Sequence, residues 1–376
     1  MQIIHFRASA GRTIRRVAQS LGLGLRGPRH TFFGKPEGAR IVDGEREILA
    51  PPSRPILPHR HPLLETPSIQ YPGTWVKGCK GLRVFGPSVS LVDENSFLLA
   101  DVSVEWGRKP DENWVFRRLA LPKAQFLPGR TLVLASTGGD TYFHWMTDVL
   151  PRLRLAEKAG YELSCFDRIL VNGGEQPFQR ESLARWGVPP EKCQKLPARE
   201  HAFVLENAIL PSLPGLPGVV PPETTEFLSG HFGGSGTKGA KKILIGRAGA
   251  SHRFWANEDE VLEHLRPQGF TRVECSRLTL REQAEVFRSA EVVVGAHGAA
   301  LTNLVFCRPG TRVVELFSPR YVNPCYRDLC AAAGLRHAAV MGDGKDWILS
   351  MKHDDPSAAI TADWKLLGQA LADLKP

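Results

Sequence analysis

His144 and Asp148 stand four residues apart in the stretch Thr141-Tyr142-Phe143-His144-Trp145-Met146-Thr147-Asp148. On a helix that spacing puts both side chains on one face. A carboxylate beside an imidazole fixes its tautomer and raises its basicity, which suits removal of a proton from a hydroxyl. The same spacing also describes an ordinary surface pair. Pro151 would disturb the carbonyl of Thr147 and leave the pair intact, and Gly138 and Gly139 just upstream leave room for a ligand. A second group of candidates lies further on. The run Gly295-Ala296-His297-Gly298-Ala299-Ala300-Leu301-Thr302-Asn303 follows directly on Glu291-Val292-Val293-Val294. A glycine turn between a β-branched strand and a helix lies at the carboxyl edge of a sheet, where backbone N–H groups can meet an anion. Arg247 and Arg253 flank a short loop, and two such guanidinium forks can clamp a diphosphate. Glu315 ends a later strand, where a carboxylate can accept from ribose hydroxyls or simply meet solvent.

The elements that must position these groups are legible in the second half. Lys241–Arg247, Thr271–Cys275, Glu291–Gly295 and Arg312–Phe317 read as strands. Asn257 with Glu260, and Thr279 with Glu282, carry capping signatures that open helices to about 266 and 289. This alternation predicts a parallel, doubly wound sheet. Upstream, Arg168–Asn172 reads as a strand, and Gln176–Trp186 as a helix. The stretch 50–55 reads as extended linker, and the prolines and glycines of 211–239 as the join between domains. The expected division is an arm and linker over 1–60, a domain over 61–215, a linker over 216–240 and a second domain over 241–376.

The chain of 376 residues is 42% hydrophobic, enough to build two cores. A formal net charge of +9 favours anionic partners, yet the basic residues are scattered, which argues against nucleic acid. The dense cluster is Arg7, Arg12, Arg15, Arg16, Arg26 and Arg29. With Ile14, Val17, Ala18 and Leu21 at helical spacing, residues 1–30 are expected either to lie on an anionic membrane surface or to remain a solvated tail. No unbroken apolar run follows, so the expected location is cytoplasmic, with a peripheral place on the inner membrane. Seven cysteines without a CxxC pair predict neither a disulfide frame nor a zinc site. The GxxxxGK[ST], GxSxG and HExxH motifs are absent, as is any Asp-x-Asp pair that would seat a divalent cation.

Three blocks in this order resemble glycosyltransferase family 61, whose bacterial members are often labelled capsular polysaccharide biosynthesis proteins. They are Tyr142-Phe143-His144-Trp145 through Leu150-Pro151-Arg152; Ile245-Gly246-Arg247 through Arg253 and Asn257-Glu258-Asp259-Glu260; and Gly295-Ala296-His297-Gly298 through Val314-Glu315-Leu316. The resemblance covers about 141–318 and implies a GT-B-like α/β fold: two facing Rossmann-like domains with a cleft between them. It implies an inverting transfer from a nucleotide-sugar to a glycan or lipid-linked acceptor, with no metal or other cofactor. Arg247, Arg253, His297, Gly298, Ala299, Asn303 and Glu315 would hold the donor, and His144 and Asp148 would serve catalysis, either one as the base. Many members carry Glu at the place of Asp148 and Gly at that of Ala300. The competing readings are a non-catalytic sugar- or nucleotide-binding protein, and a membrane-associated scaffold acting through its basic arm.

Overall fold

The computed structural model describes residues 30–32, 34–50, 53–58, 60–86, 88–118, 121–196, 201–232, 241–247, 252–342 and 355–374. Its strands are β1 (His30–Phe32), β2 (Arg40–Asp43), β3 (Arg46–Leu49), β4 (Ile56–Leu57), β5 (Ser68–Tyr71), β6 (Thr74–Phe85), β7 (Ser90–Val92), β8 (Phe97–Leu99) and β9 (Ala124–Val133). There follow β10 (Arg168–Asn172), β11 (Cys193–Leu196), β12 (Ala202–Pro211), β13 (Lys241–Ile245), β14 (Phe270–Val273), β15 (Ala290–Ala296), β16 (Arg312–Phe317) and β17 (Arg336–Met341). The described residues fall in two compact units, Met1–Gly44 with Gly73–Leu213, and Glu45–Pro72 with Pro214–Pro376.

The first unit holds a nine-stranded sheet ordered β1-β8-β7-β6-β12-β9-β10-β11, with β2 also paired to β6. It is mixed. β12, β9, β10 and β11 run parallel, whereas β6 meets β12, β7 and β2 antiparallel. Only the parallel part answers to the Rossmann-like expectation. There the connections are helical, through residues 142–158 between β9 and β10 and Pro177–Arg185 between β10 and β11. β6, β7 and β8 are joined by short turns, which permit only antiparallel neighbours.

The second unit is built on a parallel sheet ordered β14-β13-β15-β16-β17-β4. Counted from β13, this is the doubly wound order 2-1-3-4-5, so the strand order reverses between β13 and β15. Ile243, Leu244, Ile245, Val292, Val293, Val294, Val313 and Val314 are all buried, the continuous apolar runs expected where both faces of a sheet are covered. Alternation divides them. Leu244, Val292, Val294, Ala296, Val314, Leu316, Ala338 and Val340 pack in one layer with Trp255, Val261, Leu262, Leu265 and Leu367. Each buried leucine or valine among them contributes about 1.5–3 kcal/mol. The odd-numbered positions of β15, β16 and β17 point the other way, and three of the polar residues discussed below follow that register.

Two stretches expected to be linker belong to this unit. β4 pairs with β17, Ser53 is buried, and Arg54 N–H donates to His337 O at 2.9 Å. Within the expected 216–240 linker, Pro222–Phe232 is a helix that buries Thr224, Thr225, Phe227, Leu228 and Phe232. Pro222 holds its first position, where no N–H is needed, so the proline run opens a helix. Residues 1–29, with the expected membrane-facing arm, lie outside the described residues. No helix among the described residues is long and apolar enough to cross a membrane.

Candidate active site

In the first unit the chain leaves β9 through Ser136 and a glycine turn. Asn172 holds this turn against β10, accepting from Ser136 N–H and donating to Ser136 O, both at 2.8 Å. The helix that follows is not regular. Tyr142–His144 is α, Trp145–Val149 is a π turn, and α-helix resumes over Pro151–Lys158. Leu150 N–H reaches Trp145 O, five residues back, at 3.0 Å. Such π turns occur disproportionately at functional sites, because the inserted residue re-aims its neighbours. Here it carries Asp148, whose Oδ2 lies 2.6 Å from His144 Nδ1. The expected pair therefore forms on an irregular turn. Thr147 Oγ1 stands 3.0 Å from Asp148 Oδ1 and 2.9 Å from Phe143 O, so its one proton serves either.

The Arg152 guanidinium is fully buried below this turn, where it donates to the carbonyls of Leu134, Ala135 and Ser212. Burial pulls its pKa down to about 10, with Asp148 acting in the opposite direction. Arg152 thus ties the helix to the end of β9. The Leu150-Pro151-Arg152 block acts structurally at that position.

In the second unit the two loops at the switch point carry the other candidates. Arg247 follows β13. Its N–H donates to Glu258 Oε2 at 2.7 Å, and its guanidinium donates to the carbonyls of Arg253 at 2.9 Å and His252 at 2.5 Å. Arg253, at φ 52°, donates to His297 O at 3.0 Å and to Pro356 O at 3.2 Å, and lies over the Tyr321 ring. Among the described residues neither guanidinium has a carboxylate partner. Burial first, and Arg253 second, lower the pKa of Arg247. Gly298 leaves room for the guanidinium: a Cβ there would come 1.7 Å from Arg247 Nη1, and the arginine would have to shift. The sequence thus brings Arg247, Arg253, His297 and Gly298 to one edge of the sheet.

Glu315 does not stand at a solvent-facing strand end. It is fully buried, with Oε1 2.5 Å from His297 Nδ1 and Oε2 2.9 Å from His337 Nε2. His337 Nδ1 in turn lies 2.7 Å from Ser53 Oγ. The expected ribose contact is therefore replaced by a chain, Ser53–His337–Glu315–His297. Strand register makes it: Val313 aligns with His337 and Gly295 with Glu315, so Glu315 and His337 share a face that the chain at His297 continues. Burial, then the charges of Arg253, Arg247 and His337, lower the pKa of His297 to about 3. Burial and Arg327 take His337 to about 3 as well. Burial pushes Glu315 well above the usual carboxylate range. Each shift favours an uncharged form. A neutral chain satisfies itself with one O–H···N and one N–H···O bond.

The other expected residues divide. Ala299 is exposed at the start of the expected helix, which is 3-10 over Ala299–Phe306. Asn303 is not presented to a ligand. It is fully buried, and its Nδ2 donates to Gln283 Oε1 at 2.7 Å and Ala300 O at 3.0 Å. Asn257 does not cap its helix. Its amide pairs with Ala362 instead, accepting from N–H at 2.9 Å and donating to O at 2.8 Å. Thr279 does cap, in a full box with Glu282. Reading the sequence missed Glu258, His337 and Ser53. His337, beside Arg336 at the start of β17, and Ser53 leave no trace in the sequence pattern.

Fold and site define a class: an α/β protein with two guanidinium groups, unpaired with carboxylates among the described residues, at the switch point of its second sheet. Residues 142–314 match the model of the family Glycosyltransferase 61. That stretch takes in the His144 turn, both arginines and the His297 turn, and stops one residue short of Glu315. The EGF domain-specific O-linked N-acetylglucosamine transferase of Drosophila melanogaster is 34% identical over 89 residues, 23% of this chain and 17% of that protein. The beta-1,2-xylosyltransferase RCN11 of Oryza sativa subsp. japonica is 35% identical over 65 residues, 17% of this chain and 12% of its own. A beta-1,2-xylosyltransferase of Arabidopsis thaliana is 29% identical over 65 residues, with the same shares of 17% and 12%. The matches thus span 12–17% of the relatives' own length. The family and the relatives are glycosyltransferases by name, and this chain is similar to them over those stretches.

Proposed function

We propose that this chain is an inverting glycosyltransferase that moves a sugar from a nucleotide-sugar to a glycan or lipid-linked acceptor in surface polysaccharide synthesis. The GT-B arrangement, a cytoplasmic place at the membrane surface and independence of metal belong to the same reading. The observation that carries it is the gathering of Arg247 and Arg253 beside the His297-Gly298 turn, where among the described residues neither guanidinium is ion-paired with a carboxylate. Such a cradle suits a diphosphate.

The acceptor hydroxyl oxygen attacks the anomeric carbon as the bond from that carbon to the diphosphate oxygen breaks. The leaving oxygen takes the electron pair, and Arg247 and Arg253 stabilise the growing negative charge. The hydroxyl proton goes to His144 Nε2, because Nδ1 already faces Asp148. Asp148 then fixes the tautomer and stabilises the imidazolium. In this reading Glu315 serves the donor by holding His297 in place. With Asp-x-Asp absent from the sequence, the arginines take the part a divalent cation plays elsewhere.

The test is binding and slow hydrolysis of UDP-, GDP- and CMP-sugars on purified protein, with and without EDTA. One donor is expected to give a thermal shift that EDTA leaves unchanged. Both Arg247→Ala and Gly298→Ala should weaken it at least about ten-fold, or roughly 1.4 kcal/mol. A folded protein that answers to none of these donors would overturn the proposal, and loss of the signal in EDTA would overturn metal independence.

A further inference from the structure

We infer that Trp106 is the platform on which a pyranose ring of the acceptor stacks, beside the base of the transfer; this rests on the function proposed above. Eight large apolar side chains are exposed among the described residues, and Trp106, at 51%, is the one whose ring lies against His144. The ring centroids are 4.6 Å apart and the planes tilted by 30°. Tryptophan, with an apolar body and a polar N–H, is enriched at binding surfaces that are apolar at one end and wet at the other.

The loop that presents Trp106 is built to hold it still. Val104 O, two residues before, accepts from Thr137 Oγ1 at 2.6 Å. The Glu105 carboxylate accepts from Trp114 N–H at 2.8 Å and from Arg117 at 2.8 Å, and pairs with Arg108 at 2.9 Å. The benzo edge of the indole lies against the glycine turn. Gly138 has φ 73°, and a Cβ there would fall 2.3 Å from Trp106 Cη2 and 3.0 Å from His144 Cδ2. Trp106, Gly138 and His144 therefore form one fitted group, which a surface tryptophan without function does not require.

The chemistry of the group selects a sugar. A pyranose offers a face of C–H groups that packs on an aromatic plane, and hydroxyls around its rim that need acceptors. Asp140 is exposed two residues beyond Gly138 and forms no hydrogen bond or ion pair among the described residues, so its carboxylate is available to those hydroxyls. His144, the base of the proposed transfer, lies against the same indole.

The test is saturation-transfer NMR on the full chain with methyl β-xyloside, methyl β-galactoside, methyl α-mannoside and methyl β-N-acetylglucosaminide, and with UDP as a separate probe. At least one glycoside should receive saturation on the C–H groups of a single ring face. Its affinity should fall at least ten-fold in Trp106→Ala, recover in part in Trp106→Phe, and weaken less in Asp140→Asn, while UDP binding stays as in the unaltered chain. Equal glycoside affinity in Trp106→Ala, or no glycoside binding to folded, unaltered protein, would overturn the inference. Glycoside binding that depends on Trp106 without any nucleotide binding would keep the inference and count against the proposed transfer. If Trp106→Ala fails to fold, Trp106→Phe and Trp106→His decide: unchanged glycoside affinity in both overturns the inference, and weakening in both supports it.

Discussion

The molecule uses the same pairing, a carboxylate on an imidazole, in both of its units and in opposite surroundings. His144 and Asp148 keep side-chain exposures of 17% and 13%, whereas His297 and Glu315 stand at 6% and 0%. The first pair sits on a π turn, with Thr147 beside it and an exposed indole against its ring. The second lies within a four-residue chain, with Phe317, Tyr321 and Tyr326 against the imidazole. Identical chemistry therefore has two uses. Where water and a substrate hydroxyl can arrive, the pair can exchange a proton. Where the surroundings exclude water, it holds a loop in shape, and breaking it leaves polar groups buried without partners.

The sharpest way to break the comparison is to truncate both pairs and ask what is lost. Glu315→Ala strands two buried imidazoles and is expected to lower stability by about 3–5 kcal/mol, read from urea unfolding midpoints. A loss below about 1 kcal/mol would mean that the chain is wet and that its contrast with the first pair is unfounded. His144→Ala should do the reverse. Transfer is expected to slow by about 10²- to 10⁴-fold, with the urea midpoint unmoved within about 1 kcal/mol. Asp148→Asn should slow transfer less than His144→Ala, since Asp148 acts through the ring. The opposite order would make Asp148 the base.

The smallest effect is one of pH, and it bears on the buried chain of the second unit. His297 and His337 have folded pKa values near 3, below the ordinary 6.5, so the unfolded chain takes up protons that the folded chain refuses. Their contribution is complete above about 6.5 and is lost as pH falls toward 3, by at most about 1.4 kcal/mol per pH unit for each. Glu315 is raised and acts in the other direction, since above about 4.5 the unfolded chain releases a proton that the fold retains. Two protons oppose one between 4.5 and 6.5, so unfolding midpoints should rise across that interval. His337→Gln should flatten the rise. A flat profile in the unaltered chain would count against a buried, uncharged cluster.

Much of the second unit was legible because its signals are local. The β-branched runs of β15 and β16 specify buried parallel strands, and Thr279 with Glu282 forms the capping box its spacing predicts. Asn257 carries the same signal yet spends its amide on Ala362, a segment about a hundred residues away that no local pattern announces. The stretch 50–55 misleads for the same reason. Its composition does not say that Ile56 and Leu57, just after it, pair with β17 and that Ser53 reaches His337. Prolines also misplace the expected second linker, since Pro222 starts a helix as readily as it prevents one.

The sequence by itself determined which residue types recur at chemically useful spacings: His144 with Asp148 along one helix, and two arginines and a glycine turn after neighbouring strands. Those relations span a few residues, and backbone periodicity is enough to fix them. Only the tertiary structure decided that Glu315 is buried against two imidazoles, that Arg247 lies over Gly298, and that Trp106 stacks on His144. Each of these depends on strand order, register or the path of a loop. Such long-range pairings are set by burial of the whole core, and no short window of sequence contains it.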